Sequence, residues 1–199
     1  VLHGMLPPTS GEIRLNGQRL QSGDPHEFIR MKVGRIPEDR LKAIIGNLSV
    51  AQNLALENIE QFTRSGHLRH GEIQRHAEQL IKEYQIKAKP GDRAQTLSGG
   101  NIQKIILART LERKPDVLIA AQPTRGLDVG ASEYVHQKLL EQKERGAGVL
   151  LISEDLDEIL LLSDRILVIF RGQIVGEFPA EKVNMDKISL LMMGSHVEA

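Results

Sequence analysis

The chain has no cysteine. Disulfides, cysteine–zinc sites and thiol nucleophiles are therefore excluded. It has no excess of charge either: 26 Lys and Arg face 26 Asp and Glu, so no global basic field recruits nucleic acid or acidic lipid. No apolar run approaches the roughly 20 residues of a helical membrane span. No secretory leader opens the sequence; it begins on Val1, in mid-pattern, and is expected to be a fragment. Finally, no Gly-Lys pair occurs. The phosphate-cradling loop Gly-x-x-x-x-Gly-Lys-Ser/Thr is thus missing from this stretch of sequence.

What remains is an ordinary globular composition. The 199 residues, 40% apolar and 26% charged, suffice for one domain with a real core. Residues 12–20 predict a hairpin turning at Asn16-Gly17. Met31 to Pro37 predicts a short strand, followed by the charged cluster Glu38-Asp39-Arg40-Leu41-Lys42. Ser49 and Gln52 have capping-box spacing and start a helix. Over residues 72–84, Ile73, Ala77, Leu80, Ile81 and Tyr84 share one helical face. From Val117 the pattern alternates. A strand over Val117–Ala121 and a helix over Ala131–Arg145 (closed by Gly146) are followed by a second buried strand over Val149–Ile152. A helix over Asp155–Leu162 and a third strand over Arg165–Phe170 come next, and Gln173–Phe178 makes a hairpin with that strand at Arg171-Gly172. Such alternation predicts a parallel sheet with right-handed crossovers. Ligands collect beyond the carboxyl ends of its strands, where Gln122–Asp128 and Ser153–Asp155 lie.

The chemistry centres on Leu97-Ser98-Gly99-Gly100-Asn101-Ile102-Gln103-Lys104. Ser98 can cap a helix start, and two glycines let backbone approach a ligand closely. The first N–H groups of the helix are unpaired and sit at its positive end, so the place attracts an anion. Taken alone, the stretch could equally be an ordinary capped helix after a glycine turn.

Further segments make it more than that. Leu97 to Lys104 resembles the signature sequence of ABC-type ATPases. Asn101 and Lys104 resemble the variant in the second ATPase half of bacterial simple-sugar and nucleoside importers. Ile36-Pro37-Glu38 resembles the loop whose glutamine senses the metal and the membrane partner. Val117 to Thr124 resembles the Walker B strand, Arg125-Gly126-Leu127-Asp128 the D-loop, and Leu150 to Leu156 the switch strand. The Pro-Glu-Asp-Arg loop and residues 120–131 are similar to those of sugar and nucleoside importers. All these segments fall in the family's order.

The resemblance implies an α/β fold: a P-loop NTPase-like (ABC ATPase) parallel sheet with an inserted helical subdomain and a small antiparallel hairpin, N-terminally truncated. Residues 1–199 would form a single partial domain. The helical subdomain would span about 48–113, the α/β core 1–47 and 114–180, and a tail 181–199. It implies ATP and Mg²⁺, held at a site shared with a partner half and not by this chain alone. The partners would be a second ATPase half (fused or separate), permease subunits at the cytoplasmic face of the cell membrane and, indirectly, a solute-binding protein; nucleic acid is not among them. The implied nucleotide-binding residues are Leu97, Ser98, Gly99, Gly100, Asn101, Gln103, Asp128 and Glu38. Gln122 and Glu154 occupy the catalytic positions.

Those positions depart from the family pattern. Ala121 stands where an aspartate helps hold Mg²⁺, and offers no oxygen. Gln122 stands where a glutamate polarises water, and an amide hardly accepts a proton. Glu154 replaces the histidine that contacts the γ-phosphate, where a carboxylate repels phosphate. Glu38 replaces the sensing glutamine. The expected consequence is a hydrolytically degenerate site of its own, beside a signature intact enough to serve a partner's ATP in trans.

Plainer readings stay open. Asp128 could simply cap the following helix. Glu154 and Asp155 could be the acidic start of another. Glu38, Asp39 and Arg40 could be a solvated loop, and Ala121 and Gln122 strand-end filler. His67, His70 and His76 are not expected to bind metal. Two other functions remain in play: a non-catalytic docking module, and a non-transport ABC protein acting on nucleic acid or ribosomes.

Overall fold

A computed structural model describes Leu6, residues 8–19 and residues 25–194. The chain forms two compact units that meet in sequence at Ile152/Ser153.

The first unit opens with strands β1 (Arg14–Leu15) and β2 (Gln18–Arg19), paired antiparallel. Asn16 and Gly17 both have positive φ, 49° and 77°, as a tight type I′ hairpin turn requires. Helix α1 (Pro25–Arg30) leads into β3 (Val33–Ile36) and the one-turn helix α2 (Arg40–Ala43). Helix α3 (Val50–Ala55) follows, then a 3₁₀ stretch and the small hairpin β4 (Thr63–Arg64) and β5 (His67–Leu68). Helices α4 (His70–Glu83) and α5 (Gly99–Leu111) precede β6 (Val117–Ala121), α6 (Val129–Glu144) and β7 (Gly148–Ile152).

The strands β3, β6 and β7 form a parallel sheet in that order. Ile36 lies opposite Ala120, and Ala121 opposite Ile152. The loops leaving the carboxyl ends of β3 and β6 therefore start side by side. Helix α5 is the centre of the unit: Ile102 and every residue from Ile105 to Leu111 are buried. A helix that is apolar nearly all round needs cover on every side.

The capping box at α3 is complete: Gln52 N–H donates to Ser49 Oγ (3.2 Å) and Ser49 N–H to Gln52 Oε1 (2.9 Å). The apolar face read over 72–84 is the buried face of α4, with Ile73, Ala77 and Leu80 inside. Within α3, Asn53 is fully buried and holds the preceding loop. Its Oδ1 accepts from Ile45 N–H (2.9 Å), and its Nδ2 donates to the Ile45 and Ser49 carbonyls (both 3.0 Å). Arg109 is also buried. It pairs through Nε with Glu57 at 3.1 Å and donates to the Ala43 carbonyl at 3.0 Å.

β3 and the end of α5 are pressed together at Gly34. A Cβ there would lie 2.9 Å from both Pro115 Cγ and Thr110 Cγ2. Neither a proline ring nor a β-branched side chain can swing aside. Replacing Gly34 by Val is expected to lower stability by about 1–3 kcal/mol through overpacking, read as a lower urea midpoint at unchanged slope.

Two strand readings change. β7 is not buried: Leu150 and Ile152 are 38% and 47% exposed. Among the described residues it pairs with β6 alone, and an edge strand has one covered side. The third strand does not extend the parallel sheet among the described residues. In the second unit, helix α7 (Leu156–Leu162) is followed by β8 (Arg165–Phe170), paired antiparallel with β9 (Gln173–Pro179). Their turn is the expected Arg171-Gly172, with φ of 47° and 80°. Helix α8 (Met185–Met192) packs Ile188 and Leu191 on Ile166 and Val168 of the hairpin.

Candidate functional site

Ser98 is the N-cap residue of α5, with extended backbone (φ −65°, ψ 155°), but its side chain makes no cap bond. The first-turn amides of Gly99 and Gly100 are therefore not engaged by it. The hydroxyl is held from the other side: Asn101 Nδ2 donates to Ser98 Oγ at 2.9 Å. Asn101 is itself fixed, because its Oδ1 accepts from Lys87 N–H at 2.7 Å. Ser98 Oγ thus accepts inwardly and keeps its proton for an outside acceptor. The amides of exposed Gly99 and half-buried Gly100, with an oriented hydroxyl at a helix start, make a half-site suited to phosphate oxygens.

The rest of the stretch anchors this end. Gln103 is buried and donates to the Pro123 carbonyl at 2.8 Å, which joins α5 to the loop after β6. It does not reach the exposed end with Ser98. Leu97 is half-buried behind it. Lys104 Nζ donates to the Gln85 carbonyl at 3.0 Å and stands 4.5 Å over the Tyr134 ring. Burial lowers the Lys104 pKa, as does the charge of Lys87, while Asp128 opposes them. Burial also pushes the Tyr134 phenol up to about 12. It stays protonated and donates to the Tyr84 carbonyl at 3.0 Å.

Beyond β6 the chain turns sharply. Gln122 has φ of 47°, and its N–H donates to the Ile152 carbonyl at 2.7 Å. Asp128 caps α6, its Oδ1 accepting from Ala131 N–H at 2.8 Å. The capping role open from sequence is real, and it leaves the residue exposed beside the start of α6.

The loop after β3 reaches this turn. Asp39 caps α2, accepting from Leu41 N–H (3.1 Å) and Lys42 N–H (3.3 Å). The Lys42 amide holds the Asp39 carboxyl below its usual pKa. Arg40 donates to the Arg125 carbonyl, and the Arg125 guanidinium pairs with Glu38. The Glu38 to Lys42 stretch is therefore a bonded corner rather than a free loop. Nothing in the sequence pattern pairs Arg40 with Arg125, since the two stand 85 positions apart.

Glu154 belongs to the second unit. It is exposed, next to Asp155, whose Oδ1 caps α7 by accepting from Asp157 N–H (3.0 Å) and Glu158 N–H (3.2 Å). The first unit gathers Ser98, Gly99, Gly100, Asn101, Glu38 and Asp128 on the loops and helix starts around the ends of β3 and β6.

The two implied cofactors fit unequally. The start of α5 offers amides and a hydroxyl that suit phosphate. The end of β6 offers the Ala121 methyl and the Gln122 amide, a poor donor set for Mg²⁺, which prefers carboxylate and water oxygens. Among the described residues no cluster of three or more His, Asp or Glu is placed to hold a metal.

These elements form the ABC ATPase fold. The family model described as ABC transporter matches residues 1–125, and the chain belongs to that family. Within it, the chain is 43% identical over 197 residues to the guanosine import ATP-binding protein NupO of Bacillus subtilis, covering 96% of this chain and 38% of NupO. It is 42% identical over 204 residues to the glucose import ATP-binding protein TsgD13 of Haloferax volcanii, covering 98% and 36%. The chain thus spans about two fifths of the length of these relatives. Among solved structures it is similar in fold to the ATP-binding cassette MJ0796, determined as a dimer in a post-hydrolysis state bound to ADP and Pi. The TM-score is 0.73 at 24% identity, with 89% of this chain and 77% of that chain covered. Among the described residues no helix is long and apolar enough to cross a membrane.

Proposed function

We propose that this chain is the signature-donating part of a second, C-terminal ATPase half that energises import of a small polar solute. The names of its relatives favour a nucleoside or a sugar. The observation that carries the reading is the unfilled start of α5. Ser98 leaves its own helix uncapped while Asn101 aims its hydroxyl. ATP, when bound, supplies the phosphoryl group that is transferred. Ser98 Oγ and the Gly99 and Gly100 amides hold the terminal phosphate oxygens of a nucleotide bound by a partner half, where charge redistributes. Asp128 lies at the contact between the halves.

The chain's own hydrolytic position is idle on this reading. Ala121 gives a metal nothing to bind, and Gln122 can orient water without accepting its proton. No step is assigned to Mg²⁺ here, because the end of β6 does not fit it. The helical region from about Ser49 to Arg113 faces the permease at the cytoplasmic side of the membrane.

The test is ATP turnover by the intact transporter carrying Ser98→Arg or Gln122→Glu. Gln122→Glu is expected to change turnover less than about twofold, because a base without the metal-binding oxygen missing at Ala121 restores nothing. A large gain with Gln122→Glu would mean the site hydrolyses. A harmless Ser98→Arg would leave only a docking role for this half.

A further inference from the structure

The guanidinium of Arg40 stands between two glycines. A Cβ on Gly126 would lie 3.2 Å from its Nη2, and a Cβ on Gly99 would lie 3.7 Å from its Nη1. Gly99 is the first residue of α5, and Gly126 belongs to the turn that ends on Asp128. Arg40 also donates to the Arg125 carbonyl in that turn, while the Arg125 side chain returns to Glu38. One side chain therefore touches both segments that carry the proposed in-trans groups. Its own base is fixed, because Asp39 caps the helix that Arg40 begins.

We propose that Arg40 is a positioning residue. It sets the start of α5 and the 125–128 turn at one spacing, so that Ser98 and Asp128 meet the partner half together. The Glu38–Arg125 pair is the latch that keeps the turn against it. The inference rests on the in-trans reading and assigns a function to a residue that reading does not use.

Stability is a poor alternative explanation. The Arg125 and Glu38 side chains are 61% and 55% exposed, and ion pairs this open add little to folding. An arginine also suits the place better than a lysine. Its planar fork reaches the Arg125 carbonyl with one arm while the other lies against Gly99, and an ammonium offers only a point.

The experiment uses the intact transporter, with ATP turnover, KM for ATP and melting midpoint measured for Arg40→Ala, Arg40→Lys and, as a control, Ser98→Arg. Misplacing reacting groups by about 1 Å can cost a hundredfold. Arg40→Ala is accordingly expected to lower kcat between about tenfold and a hundredfold, with KM and the melting midpoint unchanged. Arg40→Lys should recover part of that loss through its remaining donor. If Ser98→Arg abolishes turnover and Arg40→Ala does not lower it, the positioning role is overturned and the in-trans reading stands. A kcat loss that follows a fallen melting midpoint, with no recovery by lysine, also overturns it. If Ser98→Arg is itself harmless, the reading beneath the inference fails.

Discussion

Ser98→Arg should cost the intact transporter at least a hundredfold in ATP turnover. Two effects add. The substitution removes a hydroxyl that Asn101 already orients, and loss of one preorganised donor of this kind costs about a hundred- to a thousandfold. It also plants a long side chain at an exposed helix start where the next two residues are glycines, closing the approach to their amides. The arginine's charge would favour phosphate, but an unplaced point of attraction cannot replace a fixed geometry. Turnover measured at saturating ATP separates this loss from weaker binding. Asn101→Ala offers a graded companion: the hydroxyl remains and only its orientation is lost.

Asn53→Leu should destabilise the first unit by about 1–3 kcal/mol, the cost of leaving one backbone group without its partner. Leucine keeps the branched outline but is bulkier, so some overpacking adds to the lost hydrogen bonds. The hydrogen-bond loss arises because Ile45 N–H loses its bond of 2.9 Å, while the Ile45 and Ser49 carbonyls lose bonds of 3.0 Å but keep the Leu48 and Asn53 backbone amides as donors. Each buried group left without a partner costs about 1–3 kcal/mol. Urea denaturation reads the shift. Asn53→Asp would serve as a partial rescue at low pH, since a protonated carboxyl keeps one acceptor and one donor.

Much of this structure was legible in the sequence where short-range chemistry decides the outcome. Asn16-Gly17 and Arg171-Gly172 gave two of the three hairpins among the described residues, because positive φ at two successive positions admits few residues; the third, turning at Ser65-Gly66, was missed. Ser49 and Gln52 gave the start of α3, and the face of α4 followed from its spacing. The segments Leu97–Lys104 and Arg125–Asp128 gave the family. What the pattern could not carry was pairing at long range. An apolar run such as Leu150 to Ile152 reads as buried, yet burial depends on having neighbours on both sides, and β7 has one among the described residues. Gln103 read as part of the ligand-facing stretch, but only the fold shows Pro123 C=O waiting 2.8 Å away. Arg40 was one of several charges in a loop until β3 and β6, as neighbours, brought Arg125 beside it.

Gly126 has φ of 65°, and a Cβ on it would press against the Arg40 guanidinium at 3.2 Å. Both constraints come from within the chain, and neither involves a nucleotide. A lineage in which this half had lost every trace of phosphate chemistry would still be selected to keep that glycine, simply to stay folded. Family motifs written across this corner therefore decay more slowly than the activity they are named for. In a descendant chain the first letter to drift would be Ser98, while Gly100, where a Cβ would lie 3.3 Å from Ala131 Cβ, and Gly126 would be among the last.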